Sequence, residues 1–136
     1  MTLGEQLIHD VYYALRNGPS WNGTLLIVTY DEHGGCYDHV LPPGNAVPPD
    51  DSAGEFGFDF TRFGPRVPAV LVSPLIRAGA VFRAPAGRAP MDHTCMLRTV
   101  QEAGGFLHSR RGIRAYTGWE TCWSCGSPGM TIHWRA

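Results

Sequence analysis

With 136 residues, of which 43% are hydrophobic, the chain is long enough for one domain and one core. A formal net charge of -1 gives no general polyanion-binding surface, so nucleic acid is not an expected partner. Only 17% of residues are charged, which leaves little polar surface for a small domain and is equally consistent with cover by further protein and with a merely apolar small domain.

In chain order, Thr2, Leu3, Gly4 and Glu5 have the spacing of a capping box, Thr2 at the cap and Glu5 reaching back. Leu3, Leu7, Ile8, Val11, Tyr12 and Leu15 recur at helical spacing, and Gly18-Pro19 stops the pattern. A helix is predicted over about residues 3–17. Trp21-Asn22-Gly23 forms a turn, and Thr24 to Tyr30 is an unbroken β-rich apolar run. Such a run suits a strand buried on both faces, as in a parallel sheet.

Residues 41–66 are dense in Pro, Gly, Asp and Phe and read as a loop longer than an ordinary connection. Val67 to Pro74 is a second short strand, with Pro68 at its start. Asp92 or Thr94 caps a helix running to about Ala103, with Met96, Leu97 and Val100 facing inward. From Ser109 onward the pattern is weak, which divides the chain into residues 1–108 and a poorly patterned segment, 109–136.

Helix, strand, long loop, strand and helix in that order give an α/β fold class. No apolar run approaches the roughly 20 residues needed to span a bilayer. The start shows neither a basic n-region nor an h-region, so no signal peptide is read on this chain. The four cysteines, Cys36, Cys95, Cys122 and Cys125, therefore do not imply a disulfide framework. Cys122 and Cys125 form a CxxC near the end, a weak signal in isolation. A zinc site there needs two more ligands, for which His108 and His133 are available without diagnostic spacing.

The densest chemistry follows the first strand, in Tyr30-Asp31-Glu32-His33-Gly34-Gly35-Cys36-Tyr37-Asp38-His39-Val40. Ligands of open α/β sheets sit at such strand ends. Adjacent side chains on a regular strand point to opposite faces, so convergence of Asp31 and Glu32 requires the backbone to leave β geometry. Gly34 and Gly35 supply that freedom. Carboxylates with imidazoles suit Zn, Mn or Fe; carboxylates with water suit Mg or Ca. The same residue types also serve turns and loop caps without any ligand.

The segment Thr24–Gly35, with Tyr37-Asp38-His39-Val40, resembles a signature of the bacterial phosphoesterase family of phospholipases C and acid phosphatases. The likeness continues through Leu41-Pro42-Pro43, Gly54–Phe58, Phe63-Gly64, Arg66–Ala69 and Ser73-Pro74. It returns at Asp92-His93-Thr94 and Leu97-Arg98-Thr99, and the helix before it also fits, so it covers about residues 3–105.

The resemblance implies a partial alkaline phosphatase-like fold: parallel strands flanked by helices, with long Pro/Gly-rich loops. It implies a divalent metal, of unread identity, that hydrolyses phosphate esters, phospholipids among them. Asp31 and Glu32 match the acidic metal-ligand pair. His33, His39 and His93 are candidate catalytic residues, for leaving-group protonation or contact with substrate oxygens. Arg66 is a candidate for binding phosphate through its guanidinium, or for bracing the loop. Arg77 reads as surface charge.

Relatives carry further ligands, a nucleophile and more histidines in earlier segments that find no match here. The expectation is a truncated fragment with an incomplete metal site, to be completed by a missing N-terminal half or an oligomer partner. Relatives are often exported. Two other readings stay open: a non-catalytic remnant serving binding or assembly, and a small thiol or zinc protein built on Cys122 and Cys125.

Overall fold

The computed structural model describes residues 2–84 and 89–104. They belong to two compact units, each discontinuous in sequence: residues 1–39 with 65–80, and residues 40–64 with 81–136. The expected division at residue 108 and the CxxC at Cys122 and Cys125 lie outside the described residues.

The first unit opens with α1, Thr2–Arg16. The helix already includes Thr2, expected as its cap. It ends as its apolar pattern does: the Asn17 N–H reaches the Tyr13 carbonyl at 3.0 Å and the Gly18 N–H reaches Leu15 at 3.0 Å. A 3₁₀ turn, Trp21–Gly23, then folds the indole back. Trp21 meets Tyr12 edge-on at 6.0 Å, and the Arg16 guanidinium lies 5.5 Å from the indole centroid. Tyr12 and Leu15 are half-buried, whereas Leu3, Leu7, Ile8 and Val11 stay exposed.

Strand β1, Leu26–Thr29, pairs with β2, Ala69–Val72, in the register Leu26–Val72, Ile27–Leu71, Val28–Val70, Thr29–Ala69. The pair is antiparallel and forms a two-stranded sheet. This corrects the parallel, alkaline phosphatase-like sheet expected from the sequence. An apolar run encodes burial, not direction. Parallel neighbours need a crossover, usually helical, and the described residues between β1 and β2 hold one 3₁₀ turn, Glu55–Gly57, and no α-helix. Nor is β1 buried on both faces: its four residues are all half-buried.

In the second unit, the first stretch folds on itself. Gly44 bridges Arg62 in antiparallel fashion, supported by Ala46 N–H to Thr61 O at 2.9 Å and Phe63 N–H to Pro43 O at 3.0 Å. Helix α2, His93–Ala103, is capped by Asp92, whose Oδ1 accepts from the Thr94 N–H at 2.8 Å and the Thr94 hydroxyl at 2.6 Å. This is the expected cap, and it satisfies a donor that the helix start leaves unpaired. The inward face differs from expectation. Cys95 and Thr99, at i and i+4, are the buried pair, while Leu97 and Val100 are exposed. Among the described residues these two form the core proper, Cys95 being 2% exposed.

Candidate active site

Strand β1 delivers the chain to its acidic loop at Thr29, and the Thr29 hydroxyl donates to the Pro68 carbonyl at 2.8 Å. The loop turns at Gly34 and Gly35, at φ 65° and 73°, in the left-handed region that glycine enters without strain. The Cys36 N–H closes the turn on the His33 carbonyl at 3.0 Å. The sequence reading of this pair is therefore borne out at the level of backbone.

The side chains around the turn are exposed and locally paired. Asp31 Oδ1 accepts from the Glu32 N–H at 3.0 Å, which orients that carboxylate. Glu32 Oε2 lies 3.0 Å from His33 Nδ1. With Glu32 ionised, the imidazole donates from Nδ1 and turns Nε2 away from the pair. His39 Nδ1 is 3.8 Å from Asp38 Oδ1, on a largely exposed ring.

Asp38 is the most enclosed acid of the loop, its side chain 13% exposed. It takes a two-pronged grip on Arg66: Nε to Oδ2 at 2.9 Å and Nη2 to Oδ1 at 2.9 Å. The Arg66 backbone N–H adds a third bond to Oδ2 at 3.2 Å. The hydrogen bonds and charge of Asp38 push the Arg66 guanidinium further above its ordinary value, so it stays cationic. Sequence reasoning places Asp38 inside the motif without giving it a role. Its partner lies 28 positions away, and no periodicity links the two.

His93 opens α2 in the second unit, directly after the Asp92 cap, and is half-exposed. Of the sequence-predicted residues, the first unit thus holds Asp31, Glu32, His33, His39 and Arg66, and the second holds His93. Among the described residues, no three His, Cys, Asp or Glu side chains come together in a way that could hold a metal ion. Two adjacent carboxylates fall short of the about three protein ligands usual at catalytic zinc. The described residues therefore do not by themselves fit a complete metal site.

These features define an α/β chain whose chemistry-bearing loop leaves a short strand and carries acids, imidazoles and a braced arginine. The model of the Phosphoesterase family matches residues 1–105, and the chain belongs to that family. It is 45% identical over 104 residues to non-specific phospholipase C4 of Arabidopsis thaliana, covering 72% of this chain and 19% of the relative. It is 35% identical over 126 residues to non-hemolytic phospholipase C of Burkholderia pseudomallei, covering 82% of this chain and 17% of the relative. With phospholipase C B of Mycobacterium tuberculosis it shares 32% over 120 residues, 77% of this chain and 22% of the relative. The chain spans about a fifth of the length of these relatives.

Proposed function

We propose that this chain carries part of the active site of a phosphate-ester hydrolase of the phospholipase C type, with a phosphate ester, phospholipids included, as substrate. The observation that carries the reading is the acidic loop. Strand β1 delivers Asp31 and Glu32 to a glycine turn, inside the stretch that the Phosphoesterase family model matches.

Asp31 and Glu32 are the carboxylates this chain would contribute to a divalent metal, with the remaining ligands supplied from outside the described residues. A metal held there would supply positive charge toward a phosphate. This chain's own residues supply the rest of the chemistry. His33, paired with Glu32, and His39, beside Asp38, are the candidates to hold or deliver a proton to a leaving oxygen. Arg66 meets phosphate oxygens. His93 is kept as a third candidate of the same kind.

The test is release of product from a chromogenic phosphate monoester and a phosphocholine diester by the 136-residue chain, with and without divalent metals. Metal-stimulated release that disappears in the Asp31→Ala/Glu32→Ala variant supports the reading. Metal-stimulated release that is equal in chain and variant removes the assignment of Asp31 and Glu32. A second reading, a binding or assembly module of the family, draws on the shortfall of ligands among the described residues. It expects a folded chain without metal-stimulated turnover.

A further inference from the structure

The loop that leaves β1 is tied down at both of its feet to one short stretch of chain. At its start, the Thr29 hydroxyl holds the Pro68 carbonyl at 2.8 Å. At its end, Asp38 holds Arg66 through three hydrogen bonds, two from the guanidinium and one from the backbone. Arg66 and Pro68 stand immediately before β2. Asp31, Glu32 and His33 therefore ride on a segment whose two ends are anchored to the same entry into the strand that pairs with β1.

The grip also selects which side of Arg66 remains for a ligand. A guanidinium has five N–H donors in a flat fork. Asp38 takes the Nε–H and one Nη2–H. The opposite end, formed by Nη1 and the second Nη2–H, belongs to a side chain that is 61% exposed, while Asp38 beneath it is 13% exposed. That end has the spacing to donate to two oxygens of a phosphate.

We propose that Asp38 is a positioning residue: it clamps the acidic loop and presents the Nη1–Nη2 end of Arg66 to a phosphate group. This rests on the phosphate-ester reading above and adds to it a residue that never touches substrate. The charges make the claim testable in sign. Asp38 is an anion beside an anion site, as are Asp31 and Glu32. By charge alone, its removal strengthens phosphate binding. If its work is to hold the fork, its removal weakens binding, because Arg66 must then be ordered by the ligand itself.

The experiment follows the Arg66 Nε–H resonance of the 136-residue chain through a titration with inorganic phosphate, in wild type, Asp38→Asn and Arg66→Lys. Asp38→Asn is expected to weaken phosphate binding roughly fivefold or more, the cost of ordering an arginine side chain anew. Arg66→Lys keeps the cation and loses the fork, so it weakens binding as well, followed there at the Gly34 and Gly35 amides. Should Asp38→Asn lose its folded spectrum, Asp38→Glu decides the matter: it keeps the charge and displaces the fork, and is expected to weaken phosphate binding likewise. Unchanged or tighter binding in the variants overturns the proposal, as does a wild-type Arg66 signal that ignores phosphate. Hydrolysis is scored separately. Phosphate binding with the expected variant order upholds the role of Asp38 whether or not the chain alone turns over substrate.

Discussion

Replacing Gly34 or Gly35 by alanine probes the backbone on which the acidic loop depends. A Cβ added at either position meets nothing within 4 Å, so crowding contributes nothing. What remains is the left-handed conformation, at φ 65° and 73°. An L-residue with a Cβ is destabilised there by about 1–2 kcal/mol. Stiffening of the unfolded chain returns about 0.4–1 kcal/mol of this. The net expectation is a loss of about 0.5–1 kcal/mol for each variant. In urea, with a slope of about 2 kcal/mol/M, that lowers the midpoint by about 0.3–0.5 M. Gly4 is the internal control, since it lies in α1 and its added Cβ is equally unobstructed. There the same substitution raises stability by up to about 1 kcal/mol, through helix propensity. Circular dichroism of the 136-residue chain in urea reads all three. If alanine at 34 or 35 raises the midpoint as it does at 4, the loop does not turn through its glycines in the way described.

Other substitutions have equally definite outcomes. Asp92→Ala removes the acceptor for the Thr94 N–H and hydroxyl and is expected to cost about 1 kcal/mol, seen as faster amide exchange at Thr94; unchanged exchange would contradict it. Gly54→Ala places a Cβ 2.8 Å from the Phe60 ring, which stands edge-on to Phe58 at 5.1 Å, so the exposed Phe60 ring must shift, at a cost of about 0.5–1 kcal/mol. Unaltered Phe58 and Phe60 chemical shifts in that variant would count against the packing described. Hydrogen bonds from the Thr61 hydroxyl and backbone hold the Asp59 carboxyl below its ordinary 3.8. Its contribution to stability is thus complete above 3.8 and is lost as pH falls through the lowered folded value; an Asp59 titration midpoint at or above 3.8 by NMR would refute this. Mass-mapped alkylation of the folded chain is expected to label exposed Cys36 well before buried Cys95, and simultaneous labelling would not fit the core at α2.

Where sequence and structure agree, the signal was local. The apolar period and Gly18-Pro19 fix α1 to within a residue or so at each end, and Asp92 marks the start of α2 through the geometry of a single cap. The β-rich runs locate β1 and β2, each shorter than read. Strand direction was not legible, because Leu26 to Thr29 would read the same in either sense, and the missing crossover helix was the better clue. The inward face of α2 was misjudged for a related reason: size favoured Leu97 and Val100, whereas Cys95 and Thr99 are the pair the fold encloses. At the candidate site, the residue types and the glycine turn were visible in one stretch of sequence. The Asp38–Arg66 grip was not, since long-range pairing of two charged side chains leaves no periodic trace.

The central claim is that Asp31 and Glu32 face a divalent metal, and it is tested most directly by binding, because on the proposed reading turnover would also need ligands from outside the described residues. Manganese titrated into the isotopically labelled 136-residue chain broadens nearby resonances. Broadening is expected to centre on residues 31–33 and to be lost in the Asp31→Ala/Glu32→Ala variant. Broadening centred instead on the acidic stretch from Asp50 to Asp59, or unchanged in the variant, would contradict the claim.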